Sequence, residues 1–375
     1  MNISSTLLKQ ENKKKIYTEI YRNRTVSKNT IMKNLNFSLP TITQNLEELE
    51  KEGLITKDGQ YQSTGGRPAA VYRCNPDSRL AVGIDLHPNS IEIAAVNIYG
   101  ELVREDSTYI TFTHSDAYFR RFGEFINSFL NSFENTPRSR ILGIGIGLPG
   151  IIAPDGNEML YSEVLKSSEF TLSDLTKYIE EIPIHFYHNA EASAFAEIWY
   201  GKIKDSALVL TLDNCFCNAL ILNGKVYHGM LSSGTLEHMT LHPDGKPCYC
   251  GKKGCVDSYC SASALRKRMK QTNLDEFFID LRNGDDDSLN IWDNYLSELA
   301  LTIDNCRMII ASDIILSGLL QKYITPEDIK ILKDKILTIT TFKTLNFNIT
   351  IGNCGRKGIL IGSALPLVEQ FLAEI

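Results

Sequence analysis

Four residues near the middle of the chain have the types and spacing of a closed metal site. His238, Cys248, Cys250 and Cys255 offer one imidazole and three thiolates, a ligand set typical of structural zinc. A glycine follows Cys250 and another precedes Cys255, so the backbone can turn tightly between these two sulfurs. Because protein atoms fill all four positions, a zinc ion here would hold loops together and would not activate water.

A disulfide cluster or ordinary buried thiols would also bring cysteines together. The beginning of the chain lacks an apolar segment long enough for a secretory signal, so we expect a cytoplasmic protein with reduced thiols. Clustered cysteines in such a protein favour a metal site. His242 competes with His238 as the fourth ligand, and Cys260 is expected to be a packed thiol. We therefore predict structural zinc within residues 238–255.

Charge is distributed unevenly along the chain. The 375 residues suffice for two or three domains, and 43% hydrophobic with 22% charged residues is typical of a globular protein without a membrane span. Residues 1–75 carry 12 Lys+Arg against 7 Asp+Glu, which leaves 27 and 38 of the totals of 39 and 45 for residues 76–375. This asymmetry indicates that the N-terminal region meets an anionic polymer.

The N-terminal region has the order of a helix-turn-helix. Ser27 is placed to cap a second helix, and Ser38 with Pro40 opens a third. The third helix leaves Ser38, Thr41, Thr43 and Gln44 near its N-terminal turns, where hydroxyls and amides suit phosphates and base edges. We expect these residues to bind DNA; a small helical docking domain is the alternative. Apolar residues recur at helical spacing in all three helices: Ile16, Ile20, Ile31, Met32, Leu35, Leu39, Ile42, Leu46 and Leu49.

A hairpin with a polar tip follows the third helix and predicts a wing. Residues 54–57 and 70–73 are the two strands, and the tip contains Gly-Gly-Arg67-Pro68. Taken alone, Gly-Arg-Pro is typical of an ordinary loop. After a helix-turn-helix, however, Arg67 is placed to enter the narrow minor groove of A·T-rich DNA. Asn75-Pro76-Asp77 marks the end of the basic region. We expect a DNA-binding domain at residues 1–76 and a second domain at residues 77–375.

An internal repeat predicts that residues 77–375 form two α/β lobes. Residues 80–104 show the order strand, loop, strand, turn, strand, and residues 207–229 repeat it. Asp85 and Asp213 end the first strand of each copy, and Asn223-Gly224 is a favourable hairpin turn. Further strands are expected at residues 142–150, 184–189 and 313–318, with a closing helix at 359–371. Two such lobes would face each other across a cleft.

Residues 234–257, which contain the four predicted zinc ligands and are called the metal segment below, resemble the signature of the ROK family of repressors, open reading frames and sugar kinases. That signature reads roughly Gly-Glu-x-Gly-His and then Cys-x-Cys-Gly-x-x-Gly-Cys-x-Glu. Here residues 234–238 are Gly-Thr-Leu-Glu-His and residues 248–257 are Cys-Tyr-Cys-Gly-Lys-Lys-Gly-Cys-Val-Asp. The resemblance covers almost the whole chain. It implies an α/β fold in which an N-terminal winged helix-turn-helix precedes a two-lobed, actin-like (ribonuclease-H-like) ATPase fold.

The resemblance also implies that phosphate transfer is lost. Family kinases grip ATP with glycine-rich loops, whereas residues 85–90 are Asp-Leu-His-Pro-Asn-Ser and residues 213–218 are Asp-Asn-Cys-Phe-Cys-Asn. The catalytic aspartate of the kinases corresponds to Asn189, eight residues before Glu197, and an amide cannot accept a proton at neutral pH. Glu191 is a poor substitute because it is expected on another face. We expect no enzyme activity.

The family's sugar-binding residues map onto an altered pocket. They fall on Asn189, Thr235, His238 and Asp257, of which only His238 is unchanged. Glu237 stands where the family has glycine, and its carboxylate could compensate for Thr235. We expect these five residues to bind a sugar or sugar derivative; a vestigial pocket in a body that only dimerises is the alternative.

Together these features predict a DNA-binding transcriptional regulator, a repressor of carbohydrate-utilisation genes whose operator binding responds to a sugar. It would bind double-stranded DNA as a homodimer or homotetramer and would not associate with a membrane. A ROK sugar kinase with an added DNA-binding head is the alternative function. A protein-binding regulator without a small ligand is a third.

Overall fold

A computed structural model of the chain shows an α/β protein with an N-terminal head, residues 5–74, and a two-lobed body. The structure describes residues 5–60, 70–133, 137–153, 155–166, 170–201, 203, 205–227, 235–310, 312–343 and 347–375. The predicted fold class, a winged helix-turn-helix followed by a two-lobed body, is confirmed.

The head consists of three helices and a small antiparallel sheet in which the third strand lies between the other two. Ser27 and Ser38 cap the second and third helices, because their side chains accept hydrogen bonds from the backbone N–H groups of Thr30 and Thr41. The elements are α1 Ser5–Asn23, β1 Thr25–Ser27, α2 Lys28–Leu35, α3 Leu39–Lys51, β2 Ile55–Gln60 and β3 Ala70–Cys74.

Most of the predicted apolar residues form the core of the head, but two do not. Leu39 is 50% exposed and Met32 is 37% exposed. Leu39 is the first residue of α3, and the buried residues of this helix begin at Ile42. Met32 follows Ile31, which takes the buried position on α2, so Met32 lies about 100° further around the helix. The expectation that Leu39 belongs to the buried stripe of α3 was wrong.

Lobe 1 is built on a sheet of strand order β11-β7-β4-β5-β6. Strands β4, β7 and β11 are parallel, while β5 and β6 continue from β4 as an antiparallel meander. A second small sheet contains β8, β9 and β10. The elements are β4 Leu80–Leu86, β5 Ile91–Asn97, β6 Leu102–Thr108, α4 Asp116–Asn131, β7 Ile141–Leu148, β8 Ile151–Ile152, β9 Glu158–Tyr161, β10 Phe170–Thr171, α5 Leu172–Thr176, β11 Ile184–His188 and α6 Asn189–Gly201.

Lobe 2 repeats this arrangement in a sheet of order β14-β13-β12-β15-β16, as the internal repeat predicted. Asn223 and Gly224 have φ values of 52° and 72°, as a type I′ hairpin turn requires. The elements are β12 Ala207–Leu212, β13 Phe216–Leu222, β14 Lys225–Val226, α7 Asp257–Cys260, α8 Ala262–Arg266, α9 Leu274–Arg282, α10 Asp286–Arg307, β15 Asp313–Ser317, α11 Pro326–Ile339, β16 Ile349–Ile351 and α12 Gly358–Glu374.

Helices α6 and α12 pack together between the lobes. Ala190 and Ala194 of α6 join the apolar face of the lobe 2 sheet, while α12 crosses the sheet of lobe 1. The approach is close: a side chain at Gly145 of β7 would meet the Ser363 carbonyl oxygen at 1.8 Å, and one at Gly362 would meet that of Ala192 at 1.8 Å. The two helices therefore form the contact between the lobes.

The head packs directly on the body. Tyr17 of α1 makes an edge contact with Phe371 of α12, with ring centroids 6.3 Å apart. Tyr21 stacks on Tyr99 in the β5–β6 turn at 4.7 Å, and the Arg24 guanidinium lies 3.5 Å from the Tyr99 ring centroid. The orientation of the head therefore follows the β5–β6 turn and the C-terminal end of α12.

Candidate functional site

The structure brings His238, Cys248, Cys250 and Cys255 together in the segment between β14 and α7. Their four ligand atoms lie within 4.8 Å of one another. The Sγ atoms of Cys250 and Cys255 are 3.7 Å apart, and Cys248 Sγ is 3.7 Å from Nδ1 of His238. A tetrahedral ion with Zn–S bonds of about 2.3 Å and a Zn–N bond of about 2.1 Å needs separations of about 3.8 Å and about 3.6 Å. The cluster therefore fits zinc.

Local backbone structure positions these ligands. His238 ends a 3-10 turn, and Thr240 and Cys255 form an isolated antiparallel bridge. Gly254 has a φ of 77°, and a side chain there would meet the His242 carbonyl oxygen at 1.7 Å, so a larger residue does not fit. A bound zinc ion would cross-link these loops.

The competing assignments lie apart from the cluster. His242 Nε2 is 2.6 Å from a carboxylate oxygen of Glu298. Cys260 is fully buried, with its sulfur 3.4 Å from the Thr302 hydroxyl. The cysteines that the structure describes are all free thiols, so none of them forms a disulfide.

A continuous cleft of about 750 Å³ separates the two lobes. Lobe 1 lines it from β4, the β4–β5 turn, the segment around β8 and β9, and the start of α6. Lobe 2 lines it from the β12–β13 turn, the metal segment and the residues before α12. We call the part around Asn189 and Glu237 the sugar end, and the part around Asp85 and Asp213 the phosphate end.

The sugar end holds two buried oxygen atoms that have no hydrogen-bond partner among the residues that the structure describes. They are Oδ1 of Asn189, the first residue of α6, and Oε2 of Glu237, which is only 8% exposed. Burial, reinforced by nearby Asp257, raises the pKa of Glu237 to about 7. Thr235 and His238 also line this end. Since Nδ1 of His238 faces the sulfur of Cys248, the other ring nitrogen, Nε2, remains available to bind a ligand in the cleft.

Asp257 differs from the other residues predicted to bind sugar, because it does not line the cleft. Its carboxylate accepts a hydrogen bond of 2.8 Å from the backbone N–H of Phe216, and only 7% of the residue is exposed. It supports the start of β13, which forms the cleft wall. Asp257 is one methylene shorter than the glutamate expected there, so its carboxylate stays behind that wall.

The side chains at the phosphate end are paired with each other. His87 Nε2 lies 3.3 Å from Asp85, and the Arg356 guanidinium donates to Glu92 at 2.6 Å. Burial by itself lowers the pKa of His87, but the carboxylates of Asp85, Glu92 and Asp213 outweigh burial and raise the pKa to about 9. A protonated His87 therefore lies among carboxylates from both lobes.

Three backbone positions at the phosphate end also offer no free N–H group. The N–H of His87 donates to the Ser90 carbonyl oxygen at 3.0 Å, and Pro88 has no N–H. On the opposite lobe, the N–H of Asn214 donates to the carboxylate of Asp213 at 2.7 Å. These are the two turns in which a kinase would present free amides to phosphates.

The residues of α3 that are predicted to bind DNA lie at its start, and their side chains differ in how free they are to contact DNA. Ser38 caps the helix, and its hydroxyl is 2.8 Å from that of Thr41. The Thr43 hydroxyl donates to the Leu39 carbonyl oxygen at 2.7 Å, whereas Gln44 is exposed. Arg67 lies outside the described residues.

Later acidic residues of α3 and its C-terminus form ion pairs within the head. The pairs are Glu48 with Lys9 at 2.7 Å, Glu50 with Lys57 at 3.3 Å and Glu52 with Lys13 at 2.6 Å. Pairing reduces the repulsion that these carboxylates would exert on phosphates.

Several cleft residues were not singled out from the sequence, among them Tyr161, Tyr249 and Arg356. Tyr249 lies between two of the candidate zinc ligands, so the motif itself was a signal. Tyr161 ends a four-residue strand, and Arg356 lies in a 3-10 turn before α12. No repeat or spacing marks either position.

The part of the chain that the structure describes contains no helix with the length and apolar character needed to cross a membrane.

Comparisons with known proteins agree with this architecture. A winged helix-turn-helix DNA-binding model matches residues 9–56. The xylose repressor of Caldicellulosiruptor bescii is 28% identical over 289 residues, which are 75% of this chain and 72% of the repressor.

Solved structures share the fold. A ROK family transcriptional regulator described as a homologue of the E. coli MLC protein superposes with a TM-score of 0.77 at 19% identity, covering 98% of this chain and 97% of its own. A ROK family glucokinase from Streptomyces griseus, in complex with glucose and AMPPNP, superposes with a TM-score of 0.64 at 18% identity, covering 78% of this chain and 99% of its own. The ROK family model matches residues 81–337, more than half of the chain, and the protein therefore belongs to the ROK family.

Proposed function

We propose that the protein is a DNA-binding transcriptional regulator, a repressor of carbohydrate-utilisation genes, whose operator binding is modulated by a sugar in a catalytically inactive cleft. The observation that carries the proposal is the pair of unpartnered acceptors at the sugar end, Asn189 Oδ1 and Glu237 Oε2. Buried acceptors of this kind gain most from a ligand rich in hydroxyl donors. The winged head and the named repressors among the relatives support the DNA-binding part.

The phosphate end supports a cleft without kinase activity. The N–H groups of His87 and Asn214 are engaged in their own turns, Pro88 has none, and Asn189 provides no base. Without phosphate binding and proton abstraction, sugar binding changes conformation only.

The proposed DNA contact is the start of α3 with the wing. Gln44 is the most available of the predicted α3 residues, while Ser38, Thr41 and Thr43 present hydroxyls that also serve the helix. Arg67 is proposed to enter the minor groove. A homodimer or homotetramer would set two heads on a palindromic operator in the cytoplasm. Structural zinc on His238 and its three cysteine partners would hold one wall of the sugar end.

Helix α6 provides a route from the sugar to the head. It begins with Asn189 in the cleft and extends about 20 Å. Near its other end, Trp199 Nε1 donates to the carbonyl oxygen of Tyr99 at 2.9 Å. Tyr99 is the residue on which Tyr21 and Arg24 of the head stack. A ligand that shifts the start of α6 would therefore shift the turn that supports the head.

The test is operator binding with and without sugar, using duplexes selected by the purified protein from a random pool. Gln44→Ala should weaken binding about fivefold or more, and Gln370→Ala, an exposed glutamine of α12, should not. Arg67→Ala should weaken binding chiefly to A·T-rich flanks. A chain that selects no duplex would contradict the proposal.

Trp199→Phe tests the route through α6, because it keeps an aromatic ring and removes the N–H donor. We expect operator affinity within about twofold of the original and a sugar response reduced about fivefold. Trp292→Phe is the matched control, since Trp292 donates to Asp328 inside lobe 2. An unchanged response in Trp199→Phe would show that the signal reaches the head by another route.

A further inference from the structure

The cleft is larger than one sugar ring requires. Its volume of about 750 Å³ lies in the range of about 300 to 1,000 Å³ that holds drug-sized ligands. A hexose, with about a dozen non-hydrogen atoms, fills a minority of such a space. A single ring held by Asn189, Glu237 and His238 would leave the rest of the cleft to water.

Two partly exposed tyrosines, one from each lobe, line the cleft beside the metal segment. Tyr161 ends β9 and is 46% exposed, and Tyr249 lies between Cys248 and Cys250 and is 37% exposed. Tyr161 is close enough to Cys250 to interact with it electrostatically. Both rings therefore lie in the cleft near Cys250 of the metal segment.

Neighbouring contacts fix both rings in place. The Tyr161 hydroxyl donates to Glu163, and Tyr161 pairs with Ile151 across β8 and β9, which adds apolar surface on the lobe 1 side. The Tyr249 ring makes an edge contact with the His238 ring, with centroids 5.2 Å apart and an interplanar angle of 73°. Preorganised aromatic rings lose little conformational freedom when a ligand binds.

Aromatic rings at the rim of a sugar-binding cleft suit the apolar face of a second pyranose ring. The C–H groups on one face of a pyranose pack on an aromatic surface, while its hydroxyls stay at the edge and can bond Glu163. The sugar end and this tyrosine pair thus offer two adjacent subsites: one with hydroxyl acceptors, and one with apolar walls.

We propose that the effector is a saccharide of at least two rings, with one ring held at Asn189, Glu237 and His238 and the next between Tyr161 and Tyr249. This inference rests on the proposed function, because it names the ligand class of the same cleft. It assigns Tyr161 and Tyr249 as specificity-determining residues that select for chain length.

Titration calorimetry on the full-length, zinc-loaded protein tests chain-length selection. Two series serve as probes: D-xylose with its β-1,4-linked dimer and trimer, and D-glucose with cellobiose and maltose. In at least one series, the disaccharide should bind about tenfold tighter than its monosaccharide, since stacking on aromatic rings adds this much. Equal affinity of every monosaccharide and its disaccharides would overturn the inference.

Variants at Tyr161 separate the two subsites. Tyr161→Ala should weaken disaccharide binding about tenfold and leave monosaccharide binding within about twofold, while Tyr161→Phe should keep the preference because the ring remains. Tyr109→Ala, at a tyrosine that is 89% exposed and does not line the cleft, is the control and should change neither affinity. An equal loss for both ligands in Tyr161→Ala would overturn the second subsite.

The failure of this inference is distinguishable from failure of the proposed function. A protein that binds its operator and a monosaccharide, with no preference for a disaccharide, retains the proposed function and loses the second subsite. A protein that binds its operator but no saccharide in either series loses the sugar response, and this inference with it.

Discussion

The two ends of the cleft differ in how their polar groups are satisfied. At the sugar end, Asn189 Oδ1 and Glu237 Oε2 are buried and find no partner in the described part of the chain. At the phosphate end, His87 and Arg356 pair with carboxylates, and the Asn214 N–H donates to the preceding aspartate. An unpaired buried polar group costs about 1–3 kcal/mol. The sugar end therefore gains hydrogen bonds by admitting hydroxyls, whereas the phosphate end would have to break bonds to admit a phosphate.

This difference indicates that a cleft can lose the ability to bind one ligand and keep the ability to bind another. Asp85 Oδ1 at the phosphate end also has no partner, but it is an acceptor on a carboxylate and repels a phosphate. The exposed Arg266 guanidinium contacts the side-chain oxygen of Asn214 at 2.5 Å, so its visible partner is a neutral amide.

The largest effect is expected from removing the zinc site that forms one wall of the sugar end. Cys255→Ala should lower metal content from about one zinc ion per chain to near zero, because three ligands hold zinc poorly. The loops carrying Glu237 and Tyr249 would lose their cross-link, and sugar binding should be abolished. Operator binding should persist, because the core of the head does not include this segment. Metal analysis and titration calorimetry provide the measurements.

His242→Ala is the matched control for the zinc prediction. Its imidazole pairs with Glu298 outside the cluster, so zinc content should not change. If His242→Ala removed the metal and His238→Ala did not, the ligand set would be wrong.

The next largest effect is expected at Asn189. Asn189→Ala removes an acceptor that is unpartnered without ligand, so sugar affinity should fall about tenfold to a hundredfold. The melting temperature of the sugar-free protein should not fall, because no hydrogen bond of that oxygen is lost. Asn290→Ala, an exposed asparagine of α10, is the control in both measurements. Unchanged sugar affinity in Asn189→Ala would favour a vestigial pocket.

Much of the fold could be predicted because local patterns determine it. The Asn223-Gly224 turn and the repeated strand order identified both sheets, and Ser27 and Ser38 identified two helix starts. These signals act within a few residues. The exposure of Leu39 could not be predicted from helical spacing, because it depends on what packs against the first turn of α3 and not on the spacing itself.

The candidate site was predictable only where its residues are close in sequence. The four candidate zinc ligands lie within 18 positions, and the structure brings them together. The Arg356–Glu92 and Tyr161–Tyr249 juxtapositions join residues far apart in the chain, and only the packing of the lobes brings them to one cleft. Asp257 shows the opposite case. It occupies the motif position expected to bind sugar, but its carboxylate accepts a hydrogen bond from the backbone N–H of Phe216.

A smaller effect is expected from the charged cluster of the phosphate end. The pKa of His87 is raised from 6.5 to about 9, because Asp85, Glu92 and Asp213 outweigh its burial. The folded state therefore holds this proton more tightly than the unfolded state does. The stability linked to His87 is complete below about pH 6.5 and is lost as pH rises through about 9. Thermal unfolding between pH 6.5 and 9.5 should show this loss.

His87→Gln should have a flatter stability profile over the same pH range. His185→Gln removes an exposed histidine of β11 and should keep the original profile. A profile for His87→Gln that parallels the original would show that His87 does not bridge carboxylates of the two lobes.

The smallest effect is expected from restoring a carboxylate at the sugar end. Asn189→Asp provides the base that family kinases use, yet we expect no sugar-dependent ADP formation above background in a coupled assay over a sugar panel. The N–H groups of His87 and Asn214 remain bonded within their turns, and Pro88 still has no N–H, so these positions cannot bind the phosphates of ATP.

Measurable turnover in Asn189→Asp would mean that the phosphate end still binds ATP and that the amide of Asn189 alone keeps the cleft inactive. An active original protein would instead support the alternative of a kinase with an added head. If neither the original protein nor Asn189→Asp is active, the base and the phosphate site have been lost separately, because a base without a phosphate site cannot transfer phosphate.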